Sequence, residues 1–367
     1  MRSRSSSAPR DPGPLGRGLR ESPGGGTPSS RPGSAFLRTA TGVIAAAAVL
    51  AACSTGTRPA PAPPPAPPSA VPGMPLLTWA PPVLNDPETI ELDRGMTTTM
   101  LDPAKDYILK LPRVGKGDTF VRGGHNIVVI GGHISTGQEP PPWDAPEHRA
   151  LYFADTTGTI HVEGVLIDDV DSGQGDGIDV AAPLATLQIQ NVRVSGLTGS
   201  EQGNHADVVQ PWGGVKELRI DRLTGSTDYQ GLHIQPDLGP IGSEIVKNAN
   251  MSSTSTTAGN WLTWLATGSN TCTTAGQVSL DQVYVTPRKG RGLGDSVWPP
   301  SSASNVDDGP NPVQGCLSSL SPDGSELTFP GLPQISGSVK EGPPPGGDFV
   351  PEGVAGPDYV SPGYLPG

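Results

Sequence analysis

Cysteine is scarce in this 367-residue chain, with three in all, so no dense disulfide framework can stand in for an apolar core. Aromatic residues make up 5% and charged residues 16%, which leaves aliphatic side chains to supply any core. Positive charge is short as well. Lys and Arg number 24 against 36 Asp and Glu, a formal net charge of −12, and that balance excludes a surface built to neutralise nucleic-acid phosphates or anionic lipid head groups. A membrane-spanning helix needs about 20 apolar residues, and the run TATGVIAAAAVLAA at 39–52 is too brief. The spacings of a zinc site, a Ser-His-Asp nucleophile elbow and a phosphate-binding loop are all missing, which removes those chemistries.

Glycine and proline are abundant instead, at 50 and 43 residues, with the proline concentrated at the two ends. An Arg-rich start followed by the short apolar run reads as an export signal over residues 1–52. The run ends in Leu50-Ala51-Ala52-Cys53, which resembles the bacterial lipobox. That resemblance implies cleavage before Cys53, a lipid on its thiol and an extracytoplasmic protein anchored to the cell membrane. Residues 53–74 form a Pro/Ala-rich linker expected to adopt extended polyproline II. Residues 1–52 hold seven Arg and two acidic residues, so the mature chain has 17 basic against 34 acidic residues. A folded domain is expected over 75–335, followed by a Pro/Gly-rich tail at 336–367 that is disordered by composition. In that tail the spaced Phe349, Val350, Tyr359, Val360 and Tyr364 could lie as an extended strap.

Between Asn126 and Val285 a repeat is visible. NIVVIGGHI (126–134) aligns without gaps with TIHVEGVLI (159–167), TLQIQNVRV (186–194), ELRIDRLTG (217–225), SEIVKNANM (243–251) and QVSLDQVYV (277–285). The fourth column is Val129, Val162, Ile189, Ile220, Val246 and Leu280, all aliphatic. Stacked strands about 4.8 Å apart would turn that column into one apolar seam, which no single repeat could bury alone. Two places on stand Gly131, Gly164, Asn191, Arg222, Asn248 and Gln282, where Gly and Asn tolerate the left-handed conformation of a sharp bend. Between these segments lie GDGIDVAAP (175–183), GNHADVVQP (203–211) and DYQGLHIQP (228–236), expected to form a second wall. The pattern resembles the right-handed parallel β-helix of the pectate lyase-like superfamily over roughly residues 105–290. The expected fold is therefore all-β, a right-handed parallel β-helix solenoid with irregular loops and disordered N- and C-terminal extensions.

Aligned without gaps, those three nonamers place Asp179 beside Asp207 and Gln210 beside Gln235. Two carboxylates in one column can shift each other's pKa and so divide acid from base. Candidate catalytic residues are Asp176, Asp179, Asp207, His205 and His233. Gln210, Gln235, Trp212 and Tyr229 are candidate substrate contacts, because flat aromatics beside amides suit a sugar ring. Asp176 and Asp207 resemble parts of the acidic motifs of polygalacturonase-type glycoside hydrolases, although His205-Ala206-Asp207 stands where that family has a double Asp. The resemblance implies cleavage of a polysaccharide by hydrolysis. Elimination by a polysaccharide lyase is the neighbouring option, with a His as base and Asp168, Asp169, Asp171 and Asp176 as hard ligands for Ca²⁺. A non-catalytic envelope protein that binds glycan or another protein is the rival class; no metal centre and no nucleic-acid partner are otherwise expected.

Once Cys53 carries a lipid, Cys272 and Cys316 remain as an even pair in an oxidising compartment, and a disulfide between them is expected. Alkylation of the denatured, unreduced protein should leave both unmodified, whereas labelling of both thiols would overturn the pairing.

Overall fold

A computed structural model describes residues 74–92, 97–116, 118–135, 149–168, 175–200, 205–255, 261–268, 273–274, 276–302 and 314–366. The expected export signal and nearly all of the linker, Cys53, Asp169, Asp171 and Cys272 lie outside these residues. The described chain is all-β, one sheet of 21 strands in which nearly every pairing is parallel. Its only helical elements are two 3-10 turns, Leu293–Asp295 and Gln314–Cys316, and among the described residues no helix is long and apolar enough to cross a membrane.

Pairings fall into three ladders of in-register parallel strands. The first runs from Glu88–Glu91 through Tyr107–Lys110, Ile127–Ile130 and Thr159–Glu163, then through the repeat segments at 186–190, 217–221, 243–247 and 277–281, to Ile335–Ser336. Its register places Val129, Val162, Ile189, Ile220, Val246 and Leu280 side by side, the seam expected from the repeat. Five of the six are fully buried and Leu280 is nearly so. Each such side chain contributes about 1.5–3 kcal/mol by leaving water.

The second ladder takes His133–Ser135, Leu166–Asp168 and the ends of the long strands to Val339–Glu341. A bend column with positive φ separates it from the first: Gly131 at 69°, Gly164 at 66°, Asn191 at 52°, Arg222 at 62°, Asn248 at 50° and Gln282 at 55°. This is the bend column legible in the repeat. Only glycine fits at 164, since a Cβ there would run into the ring of Tyr359. The third ladder joins Thr97–Leu101, Thr119–Gly123, Arg149–Ala154, the starts of Asp176–Leu197 and Asp207–Thr227, Gln230–His233, Thr263–Trp264 and Val297–Trp298. It contains the nonamers and WLTWLA (261–266).

The expected disordered C-terminal extension is corrected. Residues 336–366 are ordered: Val339–Glu341 extends the second ladder, Val350 is fully buried, and Leu77 pairs with Tyr364 in a parallel bridge. Composition weighed the Pro and Gly but not the partners awaiting the tyrosines. The outer face of the first ladder carries a buried polar row that includes His161, Glu163, Gln190 and Asp221. Tyr359 Oη donates to Glu163 Oε1 at 2.7 Å and Tyr364 Oη to Glu163 Oε2, while His161 Nε2 lies 3.0 Å from the same Oε2. With the Gln188 amide turned, its nitrogen donates to His161 Nδ1 at 2.9 Å and Nε2 is the ring nitrogen that donates to Glu163. Thr78 donates twice to Asp221, at 3.1 and 2.8 Å.

Glu244 is the exception inside the barrier. It pairs between Leu218 and Val278 in an interior column, is 1% exposed, and neither oxygen has a partner among the described residues. Burial pushes its carboxyl well above the usual range and holds it neutral.

For Glu163, burial alone would raise the carboxyl, but the bonds from His161, Tyr359 and Tyr364 outweigh it and hold the group below its ordinary value. A depressed folded pKa gives stability that is present above the unfolded value of about 4.3 and lost as pH falls through the folded one. Glu163→Gln should therefore lower the unfolding free energy from urea titration at pH 7 by about 1.5–3 kcal/mol, and flatten its loss on acidification from pH 5 to 3. An acid limb identical to wild type would show that Glu163 does not hold the C-terminal segment through its charge.

Candidate functional site

Alternation along the third ladder turns Ile178, Val209 and Leu232 inward, each fully buried, and leaves a second set of side chains on the other face. Their register links Phe120, Tyr152, Asp179 and Gln210 in one column, continued by His233, Trp264 and Trp298. Phe120 stacks on Tyr152 at 4.8 Å, Trp264 on Trp298 at 4.8 Å, and His233 lies 5.2 Å from Trp264. At the start of the strands Arg149 pairs with Asp176 and Asp207 with Gln230, and the Asp207 N–H donates to Asp176 Oδ1 at 2.8 Å.

The ungapped alignment of the nonamers is thereby corrected. Asp179 lies beside Gln210, not Asp207, and the glutamine pair Gln210 and Gln235 does not share a column. Register follows the aliphatic positions Ile178, Val209 and Leu232, because moving one of them off the core face costs more than any polar match returns. Loops of unequal length between the strands hid this offset.

Asp176, Asp179, Asp207, Gln210, His233 and Gln235 do converge. Asp207 Oδ2 and Gln235 Oε1 lie 3.0 and 2.8 Å from His233 Nδ1 and Nε2, the arrangement of an imidazolium donating from both nitrogens. Burial works to lower the His233 pKa, yet the Asp207 charge and hydrogen bond, helped by Gln235, raise it above its ordinary value. Gln210 Nε2 also lies 3.0 Å from Nδ1; a proton there serves Asp207, so Gln210 completes the group only with its amide oxygen turned to the ring. Asp207 is fully buried, and its Oδ1 has no partner among the described residues.

Asp176 behaves differently. Burial first, and then the charges of Asp179 and Asp207, push its carboxyl well above the usual range; the Asp207 N–H and Arg149 offset only part of this. Neighbouring strands thus place a carboxyl whose pKa is pushed well up, Asp176, beside Asp207, which faces the His233 ring, an asymmetry of the kind that acid–base chemistry uses.

Arg149 was not among the expected site residues. Its guanidinium donates to Asp179 Oδ2 and lies 5.0 Å from the Tyr152 ring centroid and 5.8 Å from that of Trp212, coupling the acidic group to the aromatic surface. Trp212 is 42% exposed, whereas Asp176 and His233 are each 4% exposed. His205 is exposed and packs against Tyr229 at 5.1 Å, apart from the carboxyls. Arg149, Tyr152, Trp264 and Trp298 escaped the sequence because their register with the nonamers passes through loops of unequal length; the spacing of Trp261 and Trp264 within WLTWLA was the available signal.

Among the described residues no group of three His, Cys, Asp or Glu side chains could hold a metal ion. Of the residues expected around Ca²⁺, Asp168 accepts from His133 Nε2 at 2.7 Å, Asp176 accepts from Asp207, and Asp169 and Asp171 lie outside the described residues. Cys316 is buried and disulfide-bonded; its expected partner, Cys272, is outside them.

Removing His233 leaves Asp207 buried without its cation. His233→Ala should destabilise the protein by about 3–5 kcal/mol. A raised folded pKa means that the pair's contribution is complete below about pH 6.5 and is lost as pH rises through the higher folded value. Urea titrations at pH 6 and pH 9 should show that loss in wild type and not in the variant; a cost under about 1 kcal/mol at pH 6 would mean that the pair is not ionic.

Set against family models, curated proteins and solved structures, the chain matches none of them.

Proposed function

We propose that the chain is a right-handed parallel β-helix, displayed outside the cytoplasm by a lipid on Cys53, whose third ladder binds and cleaves a polysaccharide. One observation carries the reading: burial and the nearby carboxyls push Asp176 well above the usual carboxyl range, while on the adjoining strand Asp207 Oδ2 lies 3.0 Å from His233 Nδ1. Asp176 would protonate the leaving glycosidic oxygen. Asp207 would take a proton from the water that bonds to the anomeric carbon as the glycosidic bond breaks, with His233, held by Gln235, fixing its position. Trp212, exposed and beside Arg149, would supply the flat face on which a sugar ring stacks.

Burial favours a second reading. Asp207 is fully buried and Asp176 nearly so, which suits a polar scaffold under a non-catalytic glycan-binding surface centred on Trp212. Product formation separates the two. Over a panel of neutral and acidic polysaccharides, wild type should generate new reducing ends. Asp176→Asn should lower kcat by about 10²–10⁴-fold while keeping glycan affinity, and Trp212→Ala should weaken affinity. If wild type yields neither reducing ends nor unsaturated uronates from any polymer it binds, the catalytic reading fails and the binding reading stands.

A further inference from the structure

Arg222 is the one charged residue in the left-handed bend column, where its neighbours are glycine, asparagine and glutamine. An arginine at φ 62° occupies a backbone region that favours glycine and asparagine, and such strain persists where the surroundings hold it in place. Asn at the same column position in the neighbouring strands, Asn191 and Asn248, shows that the bend itself does not require a cation.

The side chain is nine-tenths buried, yet its guanidinium makes no hydrogen bond or ion pair among the described residues; Asp221 and Tyr359 act on it only through their fields. Arg193, by contrast, is fully engaged, donating to Asp348 at 2.8 Å and to the Val350 carbonyl at 2.7 Å. Arg222 opens on a cleft of about 520 Å³ between the chain entering the domain and the C-terminal segment. Met74, Asn248, Asp348, Phe349 and Pro351 are among the side chains that line it.

Both walls are locked before any ligand arrives. On one side Thr78 donates twice to Asp221 Oδ2, and Asn248 Nδ2 donates to Asp221 Oδ1 at 2.8 Å. On the other, Asn250 donates to Asp348 at 3.0 Å, the Phe349 N–H donates to Asn250 Oδ1 at 3.2 Å, and the Val350 N–H donates to Thr224 Oγ1 at 3.0 Å. A guanidinium fork that opens on the cleft and has no partner among the described residues, set between hydrogen-bonded walls beside an amide and a phenyl ring, is placed to receive an oxyanion.

We infer that this cleft binds a small monocarboxylate carrying a flat or apolar body, with its carboxylate on Arg222 and Asn248 and its body against Phe349 and Met74. The neighbouring carboxylates of Asp221 and Asp348 select for a single negative charge, because a phosphate dianion would meet more repulsion than one arginine offsets. The site is independent of the third-ladder group and of any activity there.

Benzoate, acetate and inorganic phosphate serve as probes of the purified protein, each matched with sodium chloride at the same ionic strength. Benzoate at tenfold its dissociation constant should raise the unfolding midpoint by roughly 2–4 °C, acetate by less, and phosphate not at all. Arg222→Gly, which suits the bend, should keep the ligand-free midpoint and lose the benzoate shift. If that variant does not fold, Arg222→Gln takes its place with the same expectation. An unchanged benzoate shift in the variant, no shift in wild type, or a phosphate shift as large as that of benzoate would each overturn the inference.

Discussion

Parallel stacking imposes a repeating demand on the backbone: every strand of the first ladder has to leave it at the same place and re-enter the sheet in the second. From Ile127–Ile130 onward a left-handed residue after the strand meets that demand, and six successive bends use it, from Gly131 to Gln282. Its placement sets which side chains face inward, because a slip of one residue at the bend would turn an aliphatic column towards the polar row. The buried seam, the polar row behind it and the acidic group of the third ladder all inherit their positions from this turn.

The first ladder was legible because its column of Val, Ile and Leu is short, unbroken and followed at a fixed distance by the bend. Both features are local to a nine-residue segment, and both recur at every pairing. The third ladder was legible in kind but not in register. Asp179 and Asp207 look equivalent by spacing, yet the aliphatic neighbours Ile178 and Val209 decide the pairing and move Gln210 opposite Asp179. Asp176, Asp207, His233 and Gln235 were singled out through the nonamer alignment, whose columns the structure shifts, whereas the part played by Arg149 depends on a contact across a connection whose length carries no signal. The C-terminal segment shows the other limit. Its proline and glycine content reads as disorder, but Tyr359 and Tyr364 find Glu163 in the folded state, and partners are invisible to composition.

Charge is handled in three ways along one framework. Glu163 is surrounded by donors and stays ionised despite full burial. Asp176 is crowded by other carboxyls and takes up a proton. Among the described residues Glu244 has no donor to its carboxyl, and burial pushes it well above the usual range. The same acid therefore ends in opposite states according to what the adjacent strands place beside it, and the ladder's register is what selects those neighbours.

The bond between Tyr364 and Glu163 joins residues 201 positions apart. In a chain assembled strand upon strand from nearby segments, this is a late closure whose entropic penalty is met only after the ladders exist to hold Glu163 still. Without Tyr359 and Tyr364, His161 and Glu163 would face water, whereas Gln190 keeps its bonds to the Trp79 backbone. Docking then acts as a seal whose loss would expose one face of the protein to solvent and proteases without dismantling its core, so that integrity of the C-terminal segment and integrity of the fold are separable properties.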